Sequence, residues 1–333
     1  MVVEELDAPA GAGSRAGSAA RLLLLAALLL FLALGDAPDR TRFWSAFFEA
    51  GHTPLFGLIA LLVRSLLARH TRIATFTRLS LVAFGVTLLV GATTEVLQLL
   101  QSNHDASVHD FLRDAAGAGA FLLVEVALVS ATRPGIAGWG RRARLAALAA
   151  AAVLLLAAGW ELIGTARLYF ARDRAVPTLF ALDGSWWERE LIALGNNRLI
   201  PDQVPVGPQL SRTARFARLD LMPGIYSGLT FDEPYPDWHG YRQLTLTIVS
   251  DLAVPLPMTI RIHDAAHDQR YADRFNRRLL VNPGTNRFVI AIDDIRTAPD
   301  RRVMDLRHVR GIVLFAYKLE QPTHVYLGPL RLE

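Results

Sequence analysis

Residues 22–34 read LLLLAALLLFLAL, an apolar run without a polar interruption, and Arg21 stands directly before it. Outward from this run the same texture returns. The stretches 19–35, 50–68, 79–101, 111–131 and 145–163 all read as membrane-spanning helices, which need about 20 mostly apolar residues each. The first is short, and with Ala33-Leu34-Gly35 behind it also has the form of a cleavable signal peptide. On either reading residues 36–49 lie outside the cytoplasm. Over the 333 residues, 52% are hydrophobic, 20% are charged and mean hydropathy is +0.28. That balance excludes a disordered chain and argues against an ordinary soluble enzyme. Nearly all of the apolar excess precedes residue 165, so the expected architecture is a membrane α-helical bundle of about five spans followed by a soluble tail.

Cysteine is absent, which excludes disulfides, thiolate nucleophiles, zinc–thiolate sites and iron–sulfur clusters. The formal charge of +4 is carried almost wholly by arginine, Lys318 being the single lysine. Beyond Arg141-Arg142-Ala143-Arg144 there is no basic run, so no nucleic-acid partner is expected. The arginines report topology instead. With the N-terminus (1–18) cytoplasmic, Arg15, Arg21, Arg64, Arg69, Arg72, Arg78, Arg133, Arg141, Arg142 and Arg144 fall inside. Only Arg40 and Arg42 fall in the short outer loops, and 102–110 holds no lysine or arginine. Five spans then place the C-terminal domain on the periplasmic side of an inner membrane, with the bilayer as its first partner.

The ionisable residues of the spans gather at the outer face. His52 opens the second span, Glu95 and Gln98 close the third, and Asp110 and Asp114 open the fourth on one helical face. His104, Asp105 and His109 lie in or beside the connecting loop, Glu161 ends the fifth span, and Glu125 lies deeper in the fourth. A buried charge in a span faces a bundle interior or a wet cavity. Glu95, among Val90, Val96, Leu97 and Leu99 and ~9 Å inside its span, is expected to be the most consequential of them.

The stretch Glu95-Val-Leu-Gln98, followed by His104, Ser107, Asp110, Asp114 and Gly117, resembles the VanZ-like family over residues 20–131. That family's pattern runs E-x-x-Q, Arg, then D-x-x-x-N-x-x-G across two hairpinned spans. His52 and Phe56 resemble its histidine–aromatic start. Here His104 stands where Arg is usual and Asp114 where Asn is usual, and Phe48-Glu49 replaces an acidic–basic pair. The resemblance implies a four-helix membrane domain over 19–131, with a link to the cell envelope and to glycopeptide resistance, but no reaction. It also implies a polar site of His52, Glu95, Gln98, Asp110, Asp114 and Gly117.

A linker and the fifth span occupy 132–165, and past residue 176 the texture changes. Gly/Pro/Asn/Asp turns separate runs of period two: Leu244, Leu246 and Ile248; Met258, Ile260 and Ile262; Phe288, Ile290 and Ile292; and the run 311–317. About eight strands over 176–333 predict a β-sandwich able to fold by itself. Its segments Tyr226-Ser-Gly-Leu229, Asp237-Trp-His-Gly-Tyr241 and Val325-Tyr-Leu-Gly-Pro-Leu-Arg-Leu332 resemble galactose-binding-like jelly rolls of the carbohydrate-binding-module type. Such domains often hold a structural calcium near the first and last strands. Gly328-Pro329 stands where an acidic pair is common, which argues against calcium, and no other cofactor is implied.

The densest polar segment is RIHDAAHDQRYADRFN, 261–276. A sugar site needs rings and hydrogen-bonding groups, and this segment with its neighbour Trp238 offers Arg261, His263, Asp264, His267, Tyr271, Arg274 and Asn276. Tyr235 and Tyr241 are further rings. The two His–Asp pairs could hold a metal, but a charge-paired loop is the stronger reading, and no metal site is assigned. No nucleophile elbow, P-loop or H-E-x-x-H helix occurs. The favoured function is therefore a non-catalytic envelope protein that presents a glycan- or envelope-component-binding sandwich. The alternative is a membrane enzyme acting on a lipid-linked precursor at the outer leaflet, with Glu95, Asp110 and Asp114 as acid–base groups and His52 or His104 in support. A small proton-coupled transporter is disfavoured by the lack of an internal repeat.

Overall fold

The computed structural model describes residues 17, 19–28, 41–71, 75–99, 108–133, 138–205 and 215–333. Residues 29–35 of the first expected span, His104, Asp105, Ser107 and the side chain of Gln98 lie outside the described residues. The chain divides into two compact units, Met1–Ala166 and Arg167–Glu333.

The first unit is helical: α1 (Ala19–Leu28), α2 (Arg42–His70), α3 (Phe76–Leu99), α4 (Val108–Thr132) and α5 (Arg141–Ala158). Thr41 starts α2 outside the apolar stretch, its hydroxyl accepting from the Trp44 amide at 3.2 Å. Helix α4 packs on α2, α3 and α5. Small residues set how close α2 and α4 come: a Cβ on Gly117 would lie 1.9 Å from the Thr53 carbonyl oxygen, and one on Gly57 would meet the Phe121 ring at 2.5 Å. Ala60 and Ala118 are fully buried in the same seam. Large apolar side chains point away from it, among them Leu81, Leu89, Leu128, Val153 and Leu156, all more than half exposed.

Among the described residues three helices, α2 to α4, are long and apolar enough to cross a membrane, and α5 with α6 (Trp160–Arg174) makes a fourth if the bent pair is one span. About five spans were expected. The described part of the first segment, Ala19–Leu28, is too short to cross alone, and the fifth is broken at Gly159, where the helix axis turns by 54°. At the break the Gly159 amide bonds back to the Ala157 and Leu155 carbonyls, closing α5 before α6 starts.

The second unit is an antiparallel sandwich with, among the described residues, eleven strands, β1 (Thr178–Phe180), β2 (Ile192–Ala193), β3 (Arg198–Gln203), β4 (Phe216–Leu221), β5 (Gly224–Asp232), β6 (Gln243–Ser250), β7 (Leu256–Asp264), β8 (Phe275–Val281), β9 (Gly284–Ala291), β10 (Val309–Leu319) and β11 (Thr323–Leu332). Helices α7 (Trp186–Leu191) and α8 (Ile292–Arg296) are short connections. One sheet runs β3-β4-β11-β6-β9 with β1 beside the end of β11, and the other runs β2-β5-β10-β7-β8. The expected alternation fills the space between them: Leu244, Leu246, Ile248, Met258, Ile260, Ile262, Ile312 and Leu314 are all at most 3% exposed. At 25 cal/mol per Å², each such side chain contributes about 2 kcal/mol of burial. Strands exceed the expected eight because β1 and β2 are too short to show a period and β3 (RLIPDQ) does not alternate. The C-terminal part of α6 belongs to this unit: Arg172, 6% exposed, donates to the Glu233 carbonyl at 3.0 Å, and the Tyr169 hydroxyl donates to the Glu233 carboxylate.

Candidate functional site

Two polar sites stand out, one in each unit. In the helical unit, His52 on α2 and Asp114 on α4 meet across the seam, Nδ1 lying 3.0 Å from Oδ1, with the carboxylate accepting. Asp114 is 1% exposed and its second oxygen has no partner. That oxygen faces α3 at Gly91, where a Cβ would stand 3.1 Å away. The His52 ring stacks on Phe56 at 6.3 Å, nearly parallel, which fixes its plane. The buried Thr53 hydroxyl, next to His52, also lacks a partner. Gly117, one turn past Asp114, is what allows the two helices to approach closely enough for this bond. Glu95 on α3 is half-buried and near enough to act electrostatically on both partners. The carboxylate most withdrawn from solvent is therefore Asp114 rather than Glu95. Helical spacing makes Asp114 the acid on α4 that faces α2.

Asp110 goes elsewhere. Its carboxylate accepts from Arg113 at 2.6 Å, and the same guanidinium lies 2.9 Å from Glu49 and 2.6 Å from Glu161. Arg113, 13% exposed at its side chain, joins α2, α4 and α6. Sequence reasoning passed over it. An arginine at the edge of an apolar helix requires acidic partners, and that was the available signal. Glu125 likewise pairs with Arg64 of α2 and is no isolated acid.

In the sandwich, the residues expected to bind ligand divide into two sets. Trp238 is fully buried, its indole N–H donating to the Tyr235 carbonyl at 2.8 Å, so the ring is core and offers no face. Asp264, 1% exposed, accepts two bonds from Arg302 at 2.5 and 2.7 Å and one from the Asp305 amide at 2.8 Å. His267 is 1% exposed at its side chain, with Nδ1 3.0 Å from the Asp273 carbonyl. These three hold the fold together. The distant Arg302 turns the His–Asp segment into an ion-pair network, and its guanidinium holds the Asp273 carboxyl well below the usual carboxylate range. Among the described residues His267, Asp268 and Asp273 bring ligand-type atoms within 4.8 Å of one another. The Arg302 cation on Asp273 makes that a poor seat for a second cation.

Arg261, His263 and Asn276 lie on the outer face of the five-stranded sheet, and register places them together: Arg261 is opposite Asn276 and Val313, and His263 is opposite Gly311. Arg274 adjoins them by donating to Asn276 at 3.2 Å, and its guanidinium lies 5.4 Å from the exposed Tyr271 ring in a cation–π contact. The same face carries rings that sequence reasoning did not select. Tyr226 of β5 is 70% exposed, with its centroid 5.4 Å from Phe315 and 5.5 Å from Tyr317 of β10. Phe315 and Tyr317 are out of phase with the buried Ile312, Leu314 and Ala316, and that phase was the signal. Beside the rings runs a groove of about 310 Å³, lined by Asn196, Tyr226, Gly228, Thr230 and Phe315 among others. Its floor is bare at Gly228, where a Cβ would lie 1.9 Å from the Leu314 carbonyl oxygen. The Asn197 amide is fully engaged in fastening its wall, bonding Leu194, Gly228, Met222 and Ser227 at 2.8–3.0 Å. Exposed rings beside a polar-walled groove suit the C–H faces and hydroxyls of a sugar.

No protein-family model matches this chain, and no curated protein matches it either, so the VanZ-like resemblance rests on the motif residues alone. Among solved structures, the chain is similar to an exo-β-agarase at 17% identity, over 47% of this chain and 24% of that one, with a TM-score of 0.36. It is similar to a family 11 carbohydrate-binding module from Clostridium thermocellum, solved with a β-1,3-1,4-mixed-linked tetrasaccharide, at 12% identity over 46% and 93% of the two chains, with a TM-score of 0.34. A module described as specific for non-crystalline cellulose is similar at 11% identity over 47% and 94%, with a TM-score of 0.32.

Proposed function

We propose that this chain is a multi-pass protein of the bacterial inner membrane, VanZ-like in its helical half, that presents a glycan-binding β-sandwich to the periplasm. The ring cluster of Tyr226, Phe315 and Tyr317 beside the Gly228 groove carries this reading. Two of these rings are more than half exposed on a rigid sheet, which disfavours them energetically unless something covers them. The outward leucines and valines of α2 to α5 support the membrane placement, because a helical bundle in water would bury them. The experiment is glycan binding by the full-length protein in detergent, compared with Tyr226→Ala and Tyr317→Ala. Loss of one stacking ring should weaken binding about tenfold with the melting temperature unchanged. Equal binding by all three proteins removes the platform from the function.

A second reading, an enzyme acting on a lipid-linked envelope precursor at the outer leaflet, is favoured by one observation: the unpartnered oxygen of the buried Asp114 beside His52. A carboxylate that orients an imidazole leaves the far ring nitrogen as the proton-transferring atom. Here His52 would be the acid–base group and Asp114 its positioning residue, with Glu95 nearby and Asp110 engaged by Arg113. Asp114→Asn keeps the shape and should abolish any precursor turnover by membranes containing the protein. Unchanged turnover would exclude the pair from the chemistry.

A further inference from the structure

The ring platform shares its sheet face with a group of arginines that no carboxylate among the described residues pairs with. On β7 and β8 the outward positions are Thr259 opposite Arg278 and Arg261 opposite Asn276, with Arg274 immediately before β8. Among the described residues no acid forms a salt bridge with Arg261, Arg274 or Arg278. Arg261 reaches His267 at 3.4 Å, and Arg274 reaches Asn276 at 3.2 Å. The Nε of Arg261 and the Nδ1 of His263 are buried without any partner. Asp264, next in sequence, is withdrawn to the other side of the strand by Arg302. Asp232, the acid at the far row of this face, lies beside Gly311 and has an interaction of its own.

Like charges held together at a partly desolvated surface repel one another, and the cheapest relief is an external anion. Burial together with the nearby Arg274 already pulls the Arg261 guanidinium below its ordinary range. His263 is pushed to about 4, first by burial and then by Arg261, so at neutral pH it adds hydrogen bonding but no charge. Register also sets the spacing. Phe315 pairs with Thr259, and Arg261 is two residues further along the same strand. At ordinary sheet spacings that puts the backbone positions of Arg261 and Phe315 about 8 Å apart, on the order of one or two sugar residues.

We propose that the outer face of the five-stranded sheet binds an anionic glycan, with one sugar on the Tyr226–Phe315–Tyr317 platform and the carboxylate or phosphate of the chain held by Arg261 and Arg278. This deepens the glycan-binding reading and rests on it. Guanidinium suits the task because its planar fork meets a carboxylate or phosphate with two parallel bonds.

The test uses the full-length protein in detergent and a panel of probes: polygalacturonate, polymannuronate and hyaluronan, each beside its carboxyl-reduced neutral form, then a glycerol-phosphate polymer and polyglutamate. At least one anionic glycan should bind tenfold or more tighter than its reduced form, and tighter than polyglutamate. Whether the tight binder is a uronate or the phosphate polymer identifies the source of the charge. Arg261→Gln with Arg278→Gln should bring the charged glycan down to the level of its neutral form and flatten the salt dependence. Tyr226→Ala should weaken both forms. Melting temperatures of all variants establish that they are folded. Equal binding of charged and reduced glycans overturns the anion site and leaves the platform standing. Binding of polyglutamate as tightly as any glycan, unaffected by Tyr226→Ala, overturns both, as does binding of no probe at all.

Discussion

At the scale of single residues, Arg302 decides what the polar segment 261–276 is. Two of its nitrogens grip Asp264, which is 0% exposed at its side chain, and Nε reaches Asp273 at 2.5 Å. Removing the cation leaves a buried, uncompensated carboxylate. Arg302→Met should therefore cost about 3 kcal/mol of sandwich stability in chemical unfolding. Arg296→Met, which breaks an exposed i,i+3 pair with Asp293, should cost under about 0.5 kcal/mol. Comparable losses would mean that the network is no stronger than a surface pair. His263 supplies a pH-dependence of its own. Its ring covers Gly311, with Arg261, His267 and Arg274 acting on it and Asp264 opposing them from the other side of the strand, and burial followed by Arg261 brings its pKa to about 4 from 6.5. Because the folded value is the lower one, the unfolded chain takes up the proton first. The stabilisation is complete above pH 6.5 and is lost as pH falls through 4, by about 3 kcal/mol at most. His263→Asn should flatten the unfolding free energy across that window, and a slope unchanged by the substitution would assign it to other groups. A charge-paired loop was legible in this segment, but its partner was not. The sequence shows acids and imidazoles at ligand-like spacings, but not that Arg302 returns to claim one of them.

Elements were more legible than residues. The phases of 244–248, 258–262 and 311–317 identified the core face of three strands because a period of two leaves no freedom once one face is buried. The same phases also mark the opposite face. Phe315 and Tyr317 were readable as outward rings, whereas the partner Tyr226, on a strand far away in sequence, was not. The three long apolar helices were legible from length alone, but the 54° turn at Gly159 was not, since an apolar count ignores a single glycine. What the helices do to one another depends on another glycine. Gly117 has no space for a methyl group, because a Cβ would fall 1.9 Å from a backbone oxygen that cannot rotate away. Gly85, on α3, has nothing within 4 Å of the same position. Gly117→Ala should force α2 and α4 apart and lengthen the His52–Asp114 bond. The expected loss is 1–3 kcal/mol, read as lower abundance in membranes and a lower melting temperature in detergent. Gly85→Ala should match or slightly exceed the wild type, since alanine is the better helix former. If the two variants behave alike, close packing at Gly117 is not what brings the pair together.

For the whole molecule, the polar groups of the helical unit sort by end. Glu49 and His52 lie in the first half of α2, Asp110, Arg113 and Asp114 near the start of α4, and Glu95 near the end of α3. In an antiparallel hairpin succession these positions share one end. Arg64, Arg69 and His70 lie toward the end of α2, Arg78 at the start of α3, and Arg133 directly after α4, so they share the other. Arg141, Arg142 and Arg144, which open α5 after a short connection, join them. Cationic short loops stay in the cytoplasm, so the proposed topology puts the His52–Asp114 pair near the outer leaflet. In that topology the chain would leave the leaflet through α5 and α6, and Arg167–Glu333 would fold outside. The aromatic platform would then face envelope glycans, and the membrane pair would lie at the outer leaflet. Alkaline phosphatase fused after Glu333 should be active and a fluorescent reporter at the same point dark, with the reverse pattern for fusions after His70. Activity of the phosphatase only after His70 would place the sandwich in the cytoplasm. Periplasmic glycan could not then reach Tyr226 or Arg261, even though the binding face itself would be unchanged.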